Sequence, residues 1–163
     1  MASIDERDSS PSTSFVSRRV NNSTFLVIED DGYGEQPYIY IKIYEQHLLL
    51  TDTGCNSPRS KIPSLTSLRQ YLETSPVSAN KDRCLNPYGR KKYIIICSHC
   101  HYDHILGIPN FLSADPTIIA SGFDRSFVLK DLDKHSLCKY VEVSTPKYEV
   151  AHWARHSKGN GVP

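Results

Sequence analysis

Apolar and polar positions become orderly from Thr24 onward. Residues 24–29 are apolar and β-branched, Asp30-Asp31-Gly32 supplies turn chemistry, and 38–44 alternates with Ile39, Ile41 and Ile43 on one face and tyrosines and Lys42 on the other. Residues 47–51 form a more continuously apolar strand that runs into Asp52-Thr53-Gly54, so the start of the fold reads as a three-strand meander. Pro63 suits a first helical turn, and Leu65, Leu68 and Leu72 follow at helical spacing, which predicts a helix laying one stripe on the sheet. A long connection over 74–91 gives way to Tyr93-Ile94-Ile95-Ile96-Cys97, the most apolar strand candidate, expected to be buried on both faces. Beyond it the pattern predicts a short helix over 105–112, a strand over 117–120, a helix over 124–134 and strands near 140–143 and 148–151. The class is α/β (α+β), without an internal repeat. Residues 1–17 are polar and Ser-rich and read as a disordered arm, leaving 18–163 as one domain.

Composition narrows the function. With 39% apolar and 23% charged residues the chain suits a soluble domain, and no apolar run approaches membrane-spanning length. A net charge of +1 lacks the field that holds polyphosphate or an anionic bilayer, so neither nucleic acid nor membrane is the expected partner. Asp5, Glu6 and Asp8 near the start, with no apolar core beside them, argue against a secretory signal and for a cytoplasmic address. Five scattered cysteines, Cys55, Cys84, Cys97, Cys100 and Cys138, then read as free thiols or ligands. The Asn-x-Ser and Asn-x-Thr triplets at Asn21 and Asn22 carry no weight in that compartment.

Directly after the 93–97 strand stands Ser98-His99-Cys100-His101-Tyr102-Asp103-His104, which gathers three of the seven histidines and a carboxylate within six residues. In an extended strand exit, side chains two apart share a side, so His99, His101 and Asp103 can converge, with His104 brought round by a turn or helix start. Imidazole and carboxylate donors suit Zn²⁺, Fe or Mn²⁺, which makes this loop the candidate metal site. Cys97-x-x-Cys100 could instead be half of a structural zinc site, although no second pair at finger spacing exists. The tyrosines Tyr33, Tyr38, Tyr40 and Tyr44 read as cover for a sheet face, or as substrate contacts.

The pattern His99-x-His101-x-Asp103-His104, after an apolar strand and before a Gly-containing helix start, resembles the signature of the metallo-β-lactamase-fold hydrolases. Thr51-Asp52-Thr53-Gly54 resembles that family's upstream motif, whose Asp orients the metal loop, and the order and interval of the two also agree. The resemblance implies a four-layer αβ/βα sandwich with two zinc ions, His99 and His101 on one and Asp103 and His104 on the other. It further implies a bridging hydroxide that attacks a carbonyl or phosphoryl centre, with Asp103 orienting it or taking a proton and Asp52 fixing a ligand histidine. The expected function is hydrolysis of a small ester, thioester, lactone or related carbonyl substrate. A Gly-His-Thr-like turn, a bridging Asp and a last His, which the family carries in its second half, are missing, so the chain reads as the N-terminal αβ half plus the start of the second. His135 falls in an expected helix, while His152 and His156 lie near the interval of the next ligand. A half sandwich leaves a sheet face uncovered, and self-association through that face is the matching expectation. The rival expectation is a non-enzymatic half-domain that binds metal weakly and pairs with another chain.

Overall fold

The computed structural model describes residues 13–59 and 67–155. Seven strands form one sheet in sequential order: β1 (Phe15–Asn21), β2 (Thr24–Glu29), β3 (Tyr38–Ile43), β4 (His47–Thr51), β5 (Lys92–Cys97), β6 (Thr117–Ser121) and β7 (His152–Ala154). The first four strands are antiparallel, and β4 through β7 run parallel. The parallel strands therefore deliver their carboxyl ends, and the loops that follow, to the same edge. The four α-helices among the described residues are short: α1 (Leu68–Thr74), α2 (Tyr102–Ile105), α3 (Arg125–Leu129) and α4 (Leu132–His135).

Register sorts the side chains cleanly. Phe25↔Ile41, Ile41↔Leu50, Leu50↔Ile95 and Ile95↔Ile118 are paired rows, so Phe25, Val27, Ile39, Ile41, Leu48, Leu50, Tyr93, Ile95 and Ile118 share one face. That face is fully buried beneath Leu68, Tyr71 and Leu72 of α1, with Ile105, Ile108 and Phe111 closing it over β5. Leu68 and Leu72 thus carry the stripe expected of the first helix, while Pro63 and Leu65 lie outside the described residues. The opposite face carries Leu26, Ile28, Leu49, Ile94, Ile96 and Ile119, all only half-buried, with Tyr38 and Tyr40 exposed. The strand over 93–97 is accordingly buried on one face and not on both, because no layer among the described residues covers Ile94 and Ile96.

Several other expectations change. Residues 15–17 of the expected arm open β1, an edge strand whose Phe15 packs on Tyr71 at 5.3 Å between centroids and whose Ser17 hydroxyl lies 2.7 Å from the Tyr71 hydroxyl. Its alternation is hard to read because Val16 and Val20 face the uncovered side while Arg19 stacks over Phe25 on the other. Residues 1–12 lie outside the described residues. The 105–112 helix becomes α2 followed by a tighter 3-10 turn over Ile108–Ala114, opened by Pro109, which has no backbone N–H to donate. The 124–134 helix breaks into α3 and α4 at Asp131. Cys138–Val141 is a 3-10 turn, and the last strand is β7, downstream of 148–151.

The β2–β3 connection closes around a buried carboxylate. Asp31 Oδ1 accepts from the backbone N–H groups of Tyr33, Gly34 and Glu35, and Oδ2 from that of Gln36 at 2.6 Å. Burial works against ionisation of Asp31, but these four donors outweigh it and hold the carboxyl below its ordinary value. A depressed folded value means stabilisation that is complete above the unfolded value of 3.8 and lost as pH falls through the folded one. Asp31→Asn is expected to cost about 1.5–3 kcal/mol at neutral pH, with the deficit shrinking toward pH 3; urea unfolding at a series of pH values measures it.

Candidate metal centre

The site is built at the carboxyl edge of β4 and β5. Asp52 follows β4 in a left-handed backbone conformation (φ 66°), which aims its side chain across the strand ends toward the loop after β5. There Asp52 Oδ1 accepts from the Ser98 backbone N–H (2.8 Å) and Oδ2 from the Ser98 hydroxyl (2.7 Å), while His104 Nδ1 lies 2.8 Å from Oδ2. Thr53 donates to the His104 carbonyl twice, from its backbone N–H (2.9 Å) and its hydroxyl (2.8 Å). Gly107 is required at its position, since a Cβ there would run into the Thr53 carbonyl. Behind this, buried Glu29 accepts from the N–H groups of Cys55 (2.8 Å), Asn56 (3.3 Å) and Ser57 (3.0 Å) and so holds the remainder of the post-β4 loop.

α2 starts at Tyr102, and that start decides which donors meet. His99, Asp103 and His104 each present a ligand atom within 4.8 Å of one another, a set that could hold a metal ion. His101 occupies the residue before the helix in an extended conformation, and its ring stands edge-on to His99 at 4.5 Å between centroids, outside that set. The expected convergence of His99, His101 and Asp103 along an extended exit is therefore replaced: the helical turn carries Asp103 and His104 round together and leaves His101 beside them. Two imidazoles and one carboxylate are a donor set of the kind that suits a divalent ion such as Zn²⁺, Fe or Mn²⁺.

Charge in the cluster is organised around His104. Burial disfavours its protonation, but Asp103, 2.9 Å from Nε2, and Asp52 on the other nitrogen overcome that and push it up to about 9. His99 moves the other way, lowered by burial and by the two neighbouring imidazoles. Asp103 is lowered although burial alone would raise it, because of the bond from His104. Cys97 is pushed up to about 12 by burial and by Asp52, so its thiol stays neutral. All five cysteines are free. His135 lies on α4 against Phe127, His152 is exposed on β7 in line with Ile119, and neither joins the donor set; His156 lies outside the described residues.

Sequence reasoning missed Ser98, which links Asp52 to His99 (Oγ to Nδ1 3.1 Å), and Glu29, which only the folded loop brings near. It also missed the contact of Tyr102 with the β2–β3 loop, where its hydroxyl donates to Glu35 at 2.5 Å and its ring meets Tyr33 edge-on.

No family model matches the chain. A protein named "Putative transcription factor avaE" from Aspergillus versicolor is 48% identical over 104 residues, which make up 64% of this chain and 31% of that protein. The native FEZ-1 metallo-β-lactamase from Legionella gormanii superposes with a TM-score of 0.56 at 15% identity, over 89% of this chain and 48% of that one. A HARLDQ-motif metallo-β-lactamase from Cronobacter sakazakii gives a TM-score of 0.53 at 14% identity, over 85% and 47%. The chain thus spans about a third of the curated relative and about half of these solved structures. At such identities the structures show the fold, and this chain has the metallo-β-lactamase fold over that half.

Asp52→Asn keeps the size of the side chain but turns an amide N–H₂ toward the Ser98 hydroxyl or His104. Zinc affinity, read by competition with a chromophoric chelator, is expected to fall about 10–100-fold while near-UV dichroism stays that of the parent.

Proposed function

We propose that this chain carries the donor-bearing half of a metal-dependent hydrolase that acts on a small ester, thioester, lactone or related carbonyl substrate. The observation that carries the reading is the cluster of His99, Asp103 and His104 at the ends of parallel strands, braced by Asp52. A bound divalent ion, Zn²⁺ in this proposal, would supply Lewis acidity and a water acid enough to ionise near neutrality. His99, Asp103 and His104 would hold it, with His101 at the margin. Asp103 is the proposed catalytic group, its Oδ2 placed to accept a proton and to orient an attacking water. Asp52 and Ser98 fix the rings of His104 and His99. The partner is a small molecule, neither nucleic acid nor membrane, and no described helix is long and apolar enough to cross a membrane. Five free thiols suit a reducing, cytoplasmic setting.

A second reading is favoured by the uncovered sheet face and by the name of the Aspergillus relative: a non-enzymatic chain that binds metal weakly and associates with another chain through Leu26, Leu49, Ile94 and Ile96. Purified protein assayed on chromogenic esters, lactones and thioesters with and without Zn²⁺ separates the two. Zinc-dependent turnover abolished by His99→Ala and by Asp103→Asn supports the hydrolase. Silence, together with a concentration-dependent dimer in size-exclusion chromatography, supports the second reading.

A further inference from the structure

The three donors are not held alike. His104 is fixed at both ring nitrogens and at its carbonyl, by Asp52, Asp103 and Thr53, and His99 Nδ1 lies 3.1 Å from the Ser98 hydroxyl that Asp52 holds. Asp103 has one side-chain partner among the described residues, His104 Nε2 at 2.9 Å. Its place is therefore set by the backbone that carries it, the first turn of α2. That turn cannot fix itself: α2 is four residues long and no side chain caps its start, and a helix of that length has no stability of its own in water.

Tyr102, the first residue of α2, is held from three directions. Its backbone N–H donates to the Ser136 carbonyl at 2.8 Å, its ring stands edge-on to Tyr33 at 5.5 Å between centroids, and its hydroxyl donates to Glu35 at 2.5 Å. An O–H···O⁻ bond of that length is of the charge-assisted kind. The aromatic and the carboxylate contact both come from the β2–β3 loop, and that loop is itself tied down. Asp31 gathers the N–H groups of residues 33–36, Glu35 among them at 3.3 Å, while Gly32 donates to the Ser57 carbonyl at 2.7 Å and Arg59 pairs with Asp30 at 2.8 Å. An acceptor already fixed in place costs little further ordering to engage, so a bond at the surface can hold a helix start.

We propose that Glu35, acting through the Tyr102 hydroxyl, is a positioning residue of the metal centre: it sets the first turn of α2 and with it the place of Asp103. That Asp103 serves a metal there rests on the hydrolase reading; that Glu35 sets α2 does not.

Variants of the full chain test this. Tyr102→Phe removes the donor, Glu35→Ala removes the acceptor, their combination removes both, and Glu35→Gln keeps an acceptor. Tyr71→Phe, which removes the hydroxyl bonded to Ser17 of β1, controls for a general loss of stability. Two quantities are read: Zn²⁺ affinity by competition with a chromophoric chelator, and, without metal, amide hydrogen exchange at Leu106, whose N–H donates to the Tyr102 carbonyl at 3.0 Å and so reports the turn directly. Expected is an affinity about tenfold lower in Tyr102→Phe, in Glu35→Ala and in the combination alike, with Leu106 exchange about tenfold faster in the same three. Glu35→Gln and Tyr71→Phe should stay close to the parent in both. The proposal is overturned by parental behaviour of Tyr102→Phe or Glu35→Ala, by additive losses in the combination, by equal losses in Glu35→Gln and Glu35→Ala, or by equal losses in Tyr71→Phe. If the parent takes up no zinc, the hydrolase reading falls and Leu106 exchange alone decides whether Glu35 sets α2; if parent and variants bind zinc equally, that reading stands and this proposal falls.

Discussion

The site depends on Asp52. It is the point where β4 stops, and its left-handed backbone is tolerable for an aspartate whose side chain gains local partners. Its own N–H still pairs with the Ile96 carbonyl at 2.9 Å, so the residue remains anchored to β5 while its carboxylate reaches past the strand end. Three polar atoms then converge on two oxygens: the Ser98 N–H, the Ser98 hydroxyl and His104 Nδ1. Charge-assisted bonds of this kind are the strong ones. They tie the loop after β4 to the loop after β5, and with Thr53 clamped on the His104 carbonyl the clamp acts on main chain and side chain at once. Parallel pairing of β4 with β5 is the precondition, because an antiparallel neighbour would place the two loops at opposite ends of the sheet.

How much of this was legible in the residues follows from the range of each interaction. Strands β2 to β6 announce themselves within a single stretch, β3 by alternation and the others by apolar or β-branched runs, and the donors stand within six residues. What was illegible needed distant partners. β1 pairs with β2 at the edge of the sheet, but its buried contacts, Phe15 and Ser17 on Tyr71, lie more than fifty positions away while its own valines point outward. β7 is only three residues long and is defined by its pairing with β6. Within the motif, the residue types were evident, but their grouping was set by where α2 begins, which leaves His101 beside the set and turns Asp103 and His104 toward His99. Glu29 reads in sequence as the last residue of a strand, and only the return of the 55–57 backbone gives it a function.

Among the described residues the sheet is covered on one side alone. Its covered face packs Phe25, Ile41, Leu50 and Ile95 to full burial against α1 and the segment after α2, while the other face presents apolar side chains shielded only by their neighbours. The solved metallo-β-lactamases that share the fold are about twice as long as the aligned stretch.

That incompleteness falls unequally on the parts of the site. The donor loop is held by Asp52, Thr53 and Gly107, and behind them by Ile105 and Ile108, which pack into the covered face. None of these contacts involves the uncovered side, so the geometry that brings His99, Asp103 and His104 together stands without a second layer. The cavity between the carboxyl ends of β5 and β6 and the first turn of α3 is different: Phe123 is almost wholly exposed and Phe127 nearly half so, which leaves one wall open to water. Water at that wall weakens both the burial of an apolar group and the electrostatic effect of the neighbouring polar groups. The donor cluster and the cavity therefore differ in what holds them: the first rests on the packed face, whereas the second has an open wall at Phe123.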